Sequence, residues 1–323
     1  MRSMGQWGND LYTGKASVPF VARRKLWFII AIVLIAISVI APFARGVELS
    51  IEFTGGSQFT VSAPDSTDQS IATDAVHSVD GEAEAKVTVV GGSDIRVQTT
   101  QLSQDETRQV SAALAEGYGV DAAEVTDSFI GPTWGADVTR QSLWGLAVFL
   151  VLTFVILAVY FRTWKMSVAA IIGLVDVLVI TIGVYALAGF AISPAAVIGF
   201  LTILGYSLYD TTVVFDKIRE NTSEDGEISG RTFGESVNLG VNQTLIRSIN
   251  TSIVAALPVA AILFIGVIWL GAETLSDISL SIFVGILVAT YSTLFVSAPL
   301  YSLMREKEPA IAQRDQRVLG ARA

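Results

Sequence analysis

The sequence predicts a membrane protein: six transmembrane helices, all α within the bilayer, with one external α+β domain after the first. Three observations carry that prediction. The chain is 52% hydrophobic and only 16% charged, against about 25% charged residues in soluble domains. Six apolar stretches are long enough to cross about 30 Å of hydrocarbon as helices. The charge is also segregated: between Arg45 and Asp137 there are 16 Asp/Glu and 4 Lys/Arg, a net of −12, while the remainder has 14 acids and 17 bases, a net of +3. An acidic, solvated domain is thus set into a slightly basic membrane protein. Neither part suits nucleic acid.

A cytoplasmic segment, 1–25, leads into the first span, Leu26–Ala44. That span has 19 uncharged residues and no clear small-x-small cleavage site after it, so it is expected to stay as an anchor rather than leave as a signal. The others are Leu143–Phe161, Met166–Ile192, Pro194–Phe215, Ser248–Gly271 and Ile278–Met304, followed by a tail, 305–323. Short-loop bases set the orientation. Arg23, Arg24 and Lys25 precede the first span, Arg162 and Lys165 follow the second, Lys217, Arg219 and Arg231 follow the fourth, and Arg305 and Lys307 follow the sixth. The opposite connections, Gly189–Ser193 and Gly271–Asp277, carry no base. Both termini are expected in the cytoplasm and the acidic loop outside.

The external loop, 45–138, is too patterned for a linker. Leu49–Ala63 alternates like a strand, and Ser66–Val79 has helical spacing. Ala85–Val90 and Ile95–Thr100 are two strands joined by a hairpin-type turn at Gly91-Gly92-Ser93-Asp94. Gln104–Glu116 is helical and Ala123–Ile130 is a last strand. The order β-α-β-β-α-β predicts a ferredoxin-like split fold, a fold that names no function. On the other side, the loop 216–247 holds an amphipathic helix. Thr232 and Glu235 form a capping box there, and Phe233, Val237, Val241 and Leu245 one apolar stripe. It is expected to lie on the membrane and lead into the fifth span. In the sixth span Ser281, Gly285, Ala289, Thr293 and Ser297 form a small-residue ridge suited to packing within the chain.

Several chemistries are excluded. There is no cysteine and one histidine, His77, so thiolate and multi-histidine metal sites are out. The nearest approach to a phosphate loop, Gly8 to Gly14-Lys15, is one residue too long. No cofactor is expected and no enzymatic activity. The chemistry-bearing residues lie within the spans instead. Asp176 is about 15 Å in from the cytoplasmic face and Asp210 about 9 Å. Arg247 opens the fifth span, on a polar face with Gln243, Asn250 and Thr251. An Asp at a span's centre costs roughly 2.5–3.5 kcal/mol on insertion scales, so each has a partner or a task. One reading is a buried Asp210–Arg247 ion pair that fixes packing; the other is a proton relay. Asp216, beside Lys217 and Arg219, belongs to the helix end. Paired intramembrane Asp residues are also similar to those of proteases that cut within membranes. Tyr209-Asp210 fits their first helix, but Gly173-Leu174-Val175-Asp176 lacks the second glycine of the other and comes earlier, so that reading is set aside.

The stretch GYSLYDTTVVFDKIRE (205–220), opening at Gly205, resembles the fourth-helix signature of the SecD/SecF protein-export family, on its SecF side. The resemblance continues through NQTLIRSINTS (242–252), GAETLSDISLSIFVGILVATYS (271–292) and SAPL (297–300). Glu52, Gly55 and Gly56 stand in EFTGG (52–56), similar to the family's D-F-T-G-G, and Gly131 and Pro132 open the family's G-P-x-x-G step. Coverage runs from about residue 11 to 304. Three departures stand out: Glu52 for Asp, Tyr209 where Asn is common, and Val175 where His often precedes the third-helix Asp. The resemblance implies half of a resistance-nodulation-division-type bundle, with SecD supplying the matching six helices. It implies a proton path through Asp210 and Arg247, with Asp176 a third candidate, and proton as coupling ion with sodium the alternative. The implied setting is the cytoplasmic (inner) membrane of a bacterium, in late protein export. The implied partners are SecD, the SecYEG translocon with SecA and YidC/YajC-type proteins, and an unfolded exported polypeptide. The alternative is an exporter of small molecules or lipids with a related membrane fold. Such exporters usually carry two halves in one chain.

Overall fold

Runs of apolar residues this long have nowhere to bury themselves except a bilayer, and they fold as long helices. A computed structural model describes residues 4–45, 49–90, 94–222, 230–269 and 276–322. Six of its helices are long and apolar enough to cross a membrane. The short helix α1 (Met4–Tyr12) precedes the first of them, α2 (Arg24–Arg45). The acidic domain contributes α3 (Ile51–Thr54), β1 (Gly56–Val61), α4 (Gln69–Val79), β2 (Ala85–Val90), β3 (Asp94–Thr99), α5 (Gln104–Tyr118) and β4 (Val125–Ile130). The remaining spans are α6 (Pro132–Phe161), α7 (Trp164–Ala188), α8 (Pro194–Thr222) and α9 (Phe233–Ala261), which continues as a π-helix to Trp269, then α10 (Ser276–Tyr291). A second π-helical stretch, Ser292–Ser297, joins α10 to α11 (Ala298–Arg305), and α12 (Pro309–Arg322) ends the described chain. Six crossings put both chain ends on one side and the sheet domain on the other.

The four strands form an antiparallel sheet in the order β2-β3-β1-β4. Alternation decides which face is covered: Phe59, Val61, Ile95 and Val97 are fully buried beneath α4 and α5, with Ala72, Val76, Val110 and Leu114. Ser103 and Glu106 cap α5 reciprocally, as side chains at that spacing can. The turn at 91–93 lies outside the described residues. One local expectation is corrected. Leu49–Thr54 is not part of the first strand, because Ile51–Thr54 form a single helical turn between an extended Ser50 and Gly55. Gly55 and Gly56 have φ of +73° and +123°, and a Cβ at Gly56 would run into the Thr99 carbonyl, so the chain must reverse on glycine here. The helical turn lies on the start of α6, where a Cβ at Gly135 would stand 2.7 Å from the Phe53 carbonyl oxygen.

A second correction concerns the amphipathic helix. It is not a separate element but the first part of α9, continuous with the fifth span. Its stripe of Phe233, Val237, Val241 and Leu245 is buried in the chain's own core with Leu11, Phe20, Val21, Ile218 and Tyr301. An apolar stripe seeks any apolar surface, and here the two chain ends provide it. Asn242 holds the N-terminal segment at both edges of Val18: Oδ1 accepts from its N–H at 2.7 Å and Nδ2 donates to its carbonyl at 3.0 Å. From the other end, Asp315 accepts from the Phe233 N–H and Arg322 pairs with Glu235 at 2.8 Å. The ridge of the sixth span is buried within the chain, at Ser281, Gly285, Ala289, Thr293 and Ser297.

Glu308 ties this clasp to α7, pairing with Lys165 at 2.8 Å and Arg305 at 3.1 Å. Burial pushes its carboxyl up, but hydrogen bonds from Arg305 and Lys165 outweigh that and hold it below the usual 4.5. A lowered carboxyl stabilises the fold above its ordinary pKa, and that contribution is lost as pH falls through the folded value. The melting temperature of Glu308→Gln should therefore lie below that of the parent at pH 7. The gap should close as pH falls below about 4; a gap that persists unchanged to pH 3 contradicts the assignment.

Candidate functional site

Asp210 is 4% exposed, at the meeting of α8, α9 and α10. Its Oδ1 accepts from the Ser248 hydroxyl at 2.7 Å, and its Oδ2 has no partner among the described residues. Buried polar atoms are rarely left unpaired, and one that is asks for a reason. Ser248 belongs to a stripe on α9 with Thr244 and Ser252, four residues apart and all buried. The Ser252 hydroxyl donates to the Ser248 carbonyl at 2.8 Å and lies 3.0 Å from the Tyr206 hydroxyl and 2.5 Å from that of Thr290. Thr211 and Thr293 share a buried hydrogen bond at 2.9 Å. Asp210 thus stands at one end of a seam of hydroxyls between three spans.

The buried Asp210–Arg247 ion pair is not formed among the described residues. Arg247 precedes Ser248, about 100° away around the helix, and so turns outward. It is exposed, and its guanidinium donates to the Tyr209 hydroxyl at 3.3 Å. Gln243 and Asn250 share that outward direction: Gln243 donates to the Tyr12 carbonyl and Asn250 is exposed. The inward stripe of Thr244, Ser248 and Ser252 was available in the sequence as a strict spacing of four.

Asp176, on α7, is 3% exposed, and neither carboxylate oxygen has a partner among the described residues. Val175 beside it is 41% exposed and faces away. Near Asp176, Ser292 donates to the Gly173 carbonyl at 3.0 Å. Ser292 and Thr293 open the π-helical stretch, Ser292 directed to α7 and Thr293 to α8. Such stretches interrupt a helix where side chains must be re-aimed, and Pro299 just beyond has no N–H with which to continue the ordinary ladder. The distorted turn therefore stands between the two helices that carry the buried acids.

Gly205 shares the outer face of α8 with Ile198 and Tyr209, both over half exposed, and a Cβ there would meet no atom of this chain. Glu52, half-buried, makes no ion pair among the described residues. Gly131 caps α6, with Pro132 at its first position. Asp216 accepts from the Tyr160 hydroxyl at 2.8 Å in an exposed setting, and His77 is exposed on α4. Neither joins the buried site.

These features define a multi-pass membrane protein with buried carboxylates between its spans and a small sheet domain on one side. Residues 109–307 match the family described as protein export membrane protein SecD/SecF, C-terminal, and residues 40–63 match the SecD/SecF GG motif. Among curated relatives, the protein translocase subunit SecF of Streptomyces coelicolor is 39% identical, the alignment covering 100% of this chain and 86% of that one. SecF of Mycobacterium tuberculosis is 38% identical over 97% and 72% of the two chains. In solved structures, a crystal structure of SecDF from Thermus thermophilus, described as a translocon-associated membrane protein, superposes with a TM-score of 0.78 at 30% identity. It covers 90% of this chain and 39% of that one, so the chain spans about two-fifths of the length of SecDF. The chain belongs to the SecD/SecF family of protein export membrane proteins, as a chain of SecF type.

Ser248→Ala would leave both Asp210 oxygens buried without a donor. It should destabilise the protein by roughly 1–3 kcal/mol, seen as a lower melting temperature in detergent or nanodiscs. An unchanged melting temperature contradicts the hydrogen bond's role.

Proposed function

We propose that this chain works as the SecF partner of a SecD-type subunit and couples inward ion flow to late steps of protein export. The ion is the proton, with sodium the alternative; no enzymatic step and no cofactor is part of this reading. One observation carries it: Asp210 is buried with one oxygen held by Ser248 and the other unused. Such a carboxylate can take a proton without breaking its existing bond. Protonation then weakens its demand for the Ser248 donor, and release restores it. The contact between α8 and α9 is thereby made to depend on the proton. Asp176, with two unused oxygens, is the second candidate for the path. The driving energy is adequate in kind, since one charge moved through 100 mV yields about 2.3 kcal/mol.

The partner is supported by what the chain leaves uncovered. Arg247, Asn250 and the bare Gly205 lie on one outer face of α8 and α9. An arginine facing hydrocarbon is costly, so the helices of a second subunit should cover it and place Arg247 within the path. Basic short loops support a bacterial cytoplasmic-membrane orientation with both termini inside. The strand order, with both helices on one face, supports a ferredoxin-like external domain. There it would hold an unfolded polypeptide as it emerges. The description of the Thermus relative as translocon-associated supports contact with SecYEG; SecA and YidC/YajC-type proteins are further partners in this reading.

Asp210→Asn should abolish gradient-dependent stimulation of export in membrane vesicles while leaving co-purification with the SecD-type subunit intact. Full stimulation in that variant contradicts the relay. Arg247→Lys keeps the charge but not the planar fork, and should lose part of the stimulation if guanidinium geometry matters.

A further inference from the structure

Among the described residues, two contacts between the sheet domain and the spans differ in kind. One is close packing of α3 on the start of α6, with Gly135 under the Phe53 carbonyl. The other is a backbone link. The Ser50 N–H donates to the Ile192 carbonyl at 3.0 Å, and Leu49 and Ile192 form an isolated parallel bridge. Ile192 lies in the turn between α7 and α8. Its neighbour Ser193 caps α8, accepting from the Ala196 N–H at 3.1 Å and donating to Asp277 Oδ2 at 2.5 Å. The Tyr185 hydroxyl, from α7, donates to the Asp277 carbonyl. This turn is therefore tied to α7, α8 and the start of α10, the helices that carry Asp176, Asp210 and Thr290. An apolar cavity of about 190 Å³ lies beside it, lined in part by Leu49, Phe53, Leu146, Ile182, Ile192 and Phe200. The backbone link joins the domain directly to this turn.

We propose that this turn is the joint through which movement of α8 reaches the sheet domain, with Ser50 and Ile192 as positioning residues. Asp210 lies about 24 Å along α8 from Pro194, so a small tilt at the acid displaces the turn at the other end. The proposal rests on the relay reading only for what moves α8.

The link can be removed alone. Ser50 has φ −69° and ψ 162°, values that proline adopts, and its hydroxyl has no partner. Ser50→Pro deletes the N–H with little strain, and Ser50→Ala keeps it. The chain has no cysteine, so Leu49→Cys with Ile192→Cys gives a clean cross-link between paired positions about 5 Å apart, within disulfide reach. The full chain with its SecD-type subunit is reconstituted in liposomes, and proton uptake and export stimulation are read side by side. Ser50→Pro should keep proton uptake and lose export stimulation severalfold, while Ser50→Ala keeps both. Oxidising the cysteine pair in the Ser50→Pro background should restore stimulation, and reduction should remove it again. Stimulation intact in Ser50→Pro, or a loss that the cross-link does not restore, overturns the joint. Asp210→Asn in the same liposomes separates the two claims. Unchanged proton uptake there defeats the relay, and the joint is then judged by the cross-link rescue alone.

Discussion

A carboxylate buried between apolar spans costs least where a neighbouring helix offers it a polar group. That preference organises the spans. Asp210 takes its donor from Ser248, and the hydroxyls that continue from it, Tyr206, Ser252 and Thr290, come one each from the three helices around it. Ser252 and Thr290 each donate to a carbonyl of their own helix and still present an oxygen to the next. At the start of the π-helical stretch Ser292–Ser297, adjacent hydroxyls serve two different helices, Ser292 on α7 and Thr293 on α8.

The inner seam is close to complete in this chain, and the outer face is not. Thr244, Ser248 and Ser252 point inward from α9, while Arg247 and Asn250 point outward with Gly205 of α8 alongside. Among the described residues Arg247 hydrogen-bonds to the Tyr209 hydroxyl and keeps the rest of its guanidinium exposed. This division explains why the chain's own fold brings Asp210 to Ser248 rather than to Arg247. The acid is held within the chain by Ser248, and the base stays on its outer face. At the chain ends the arrangement differs, since segments from both ends of the chain pack on the apolar stripe at the start of α9.

Much of this was legible in the sequence, for reasons that differ by feature. Spans announce themselves through uninterrupted apolar length, and the sheet through alternation at Phe59, Val61, Ile95 and Val97. Leu49–Thr54 misled because six alternating residues fit a strand or a tight helical turn equally well; Gly55 and the packing on α6 decided it. The stripe from Phe233 to Leu245 was readable as helical, but periodicity cannot say whether an apolar face meets lipid or protein. Asp176 and Asp210 stood out because charge is rare in hydrocarbon. Ser248 did not, because hydroxyls are common there, and the direction of Arg247 turned on a single position in the helix. The π-helical stretch left no mark beyond Pro299, and the Ser50–Ile192 link is backbone, which no side-chain pattern can encode.

The central claim is that Asp210 changes protonation while it remains bonded to Ser248. Infrared difference spectra of the assembled complex, recorded between high and low pH, read this directly. The account predicts a protonated-carboxyl band that comes and goes with pH, is absent in Asp210→Asn, and shifts in frequency in Ser248→Ala. A band that survives Asp210→Asn unaltered, or no titrating carboxyl band in the parent, would contradict it.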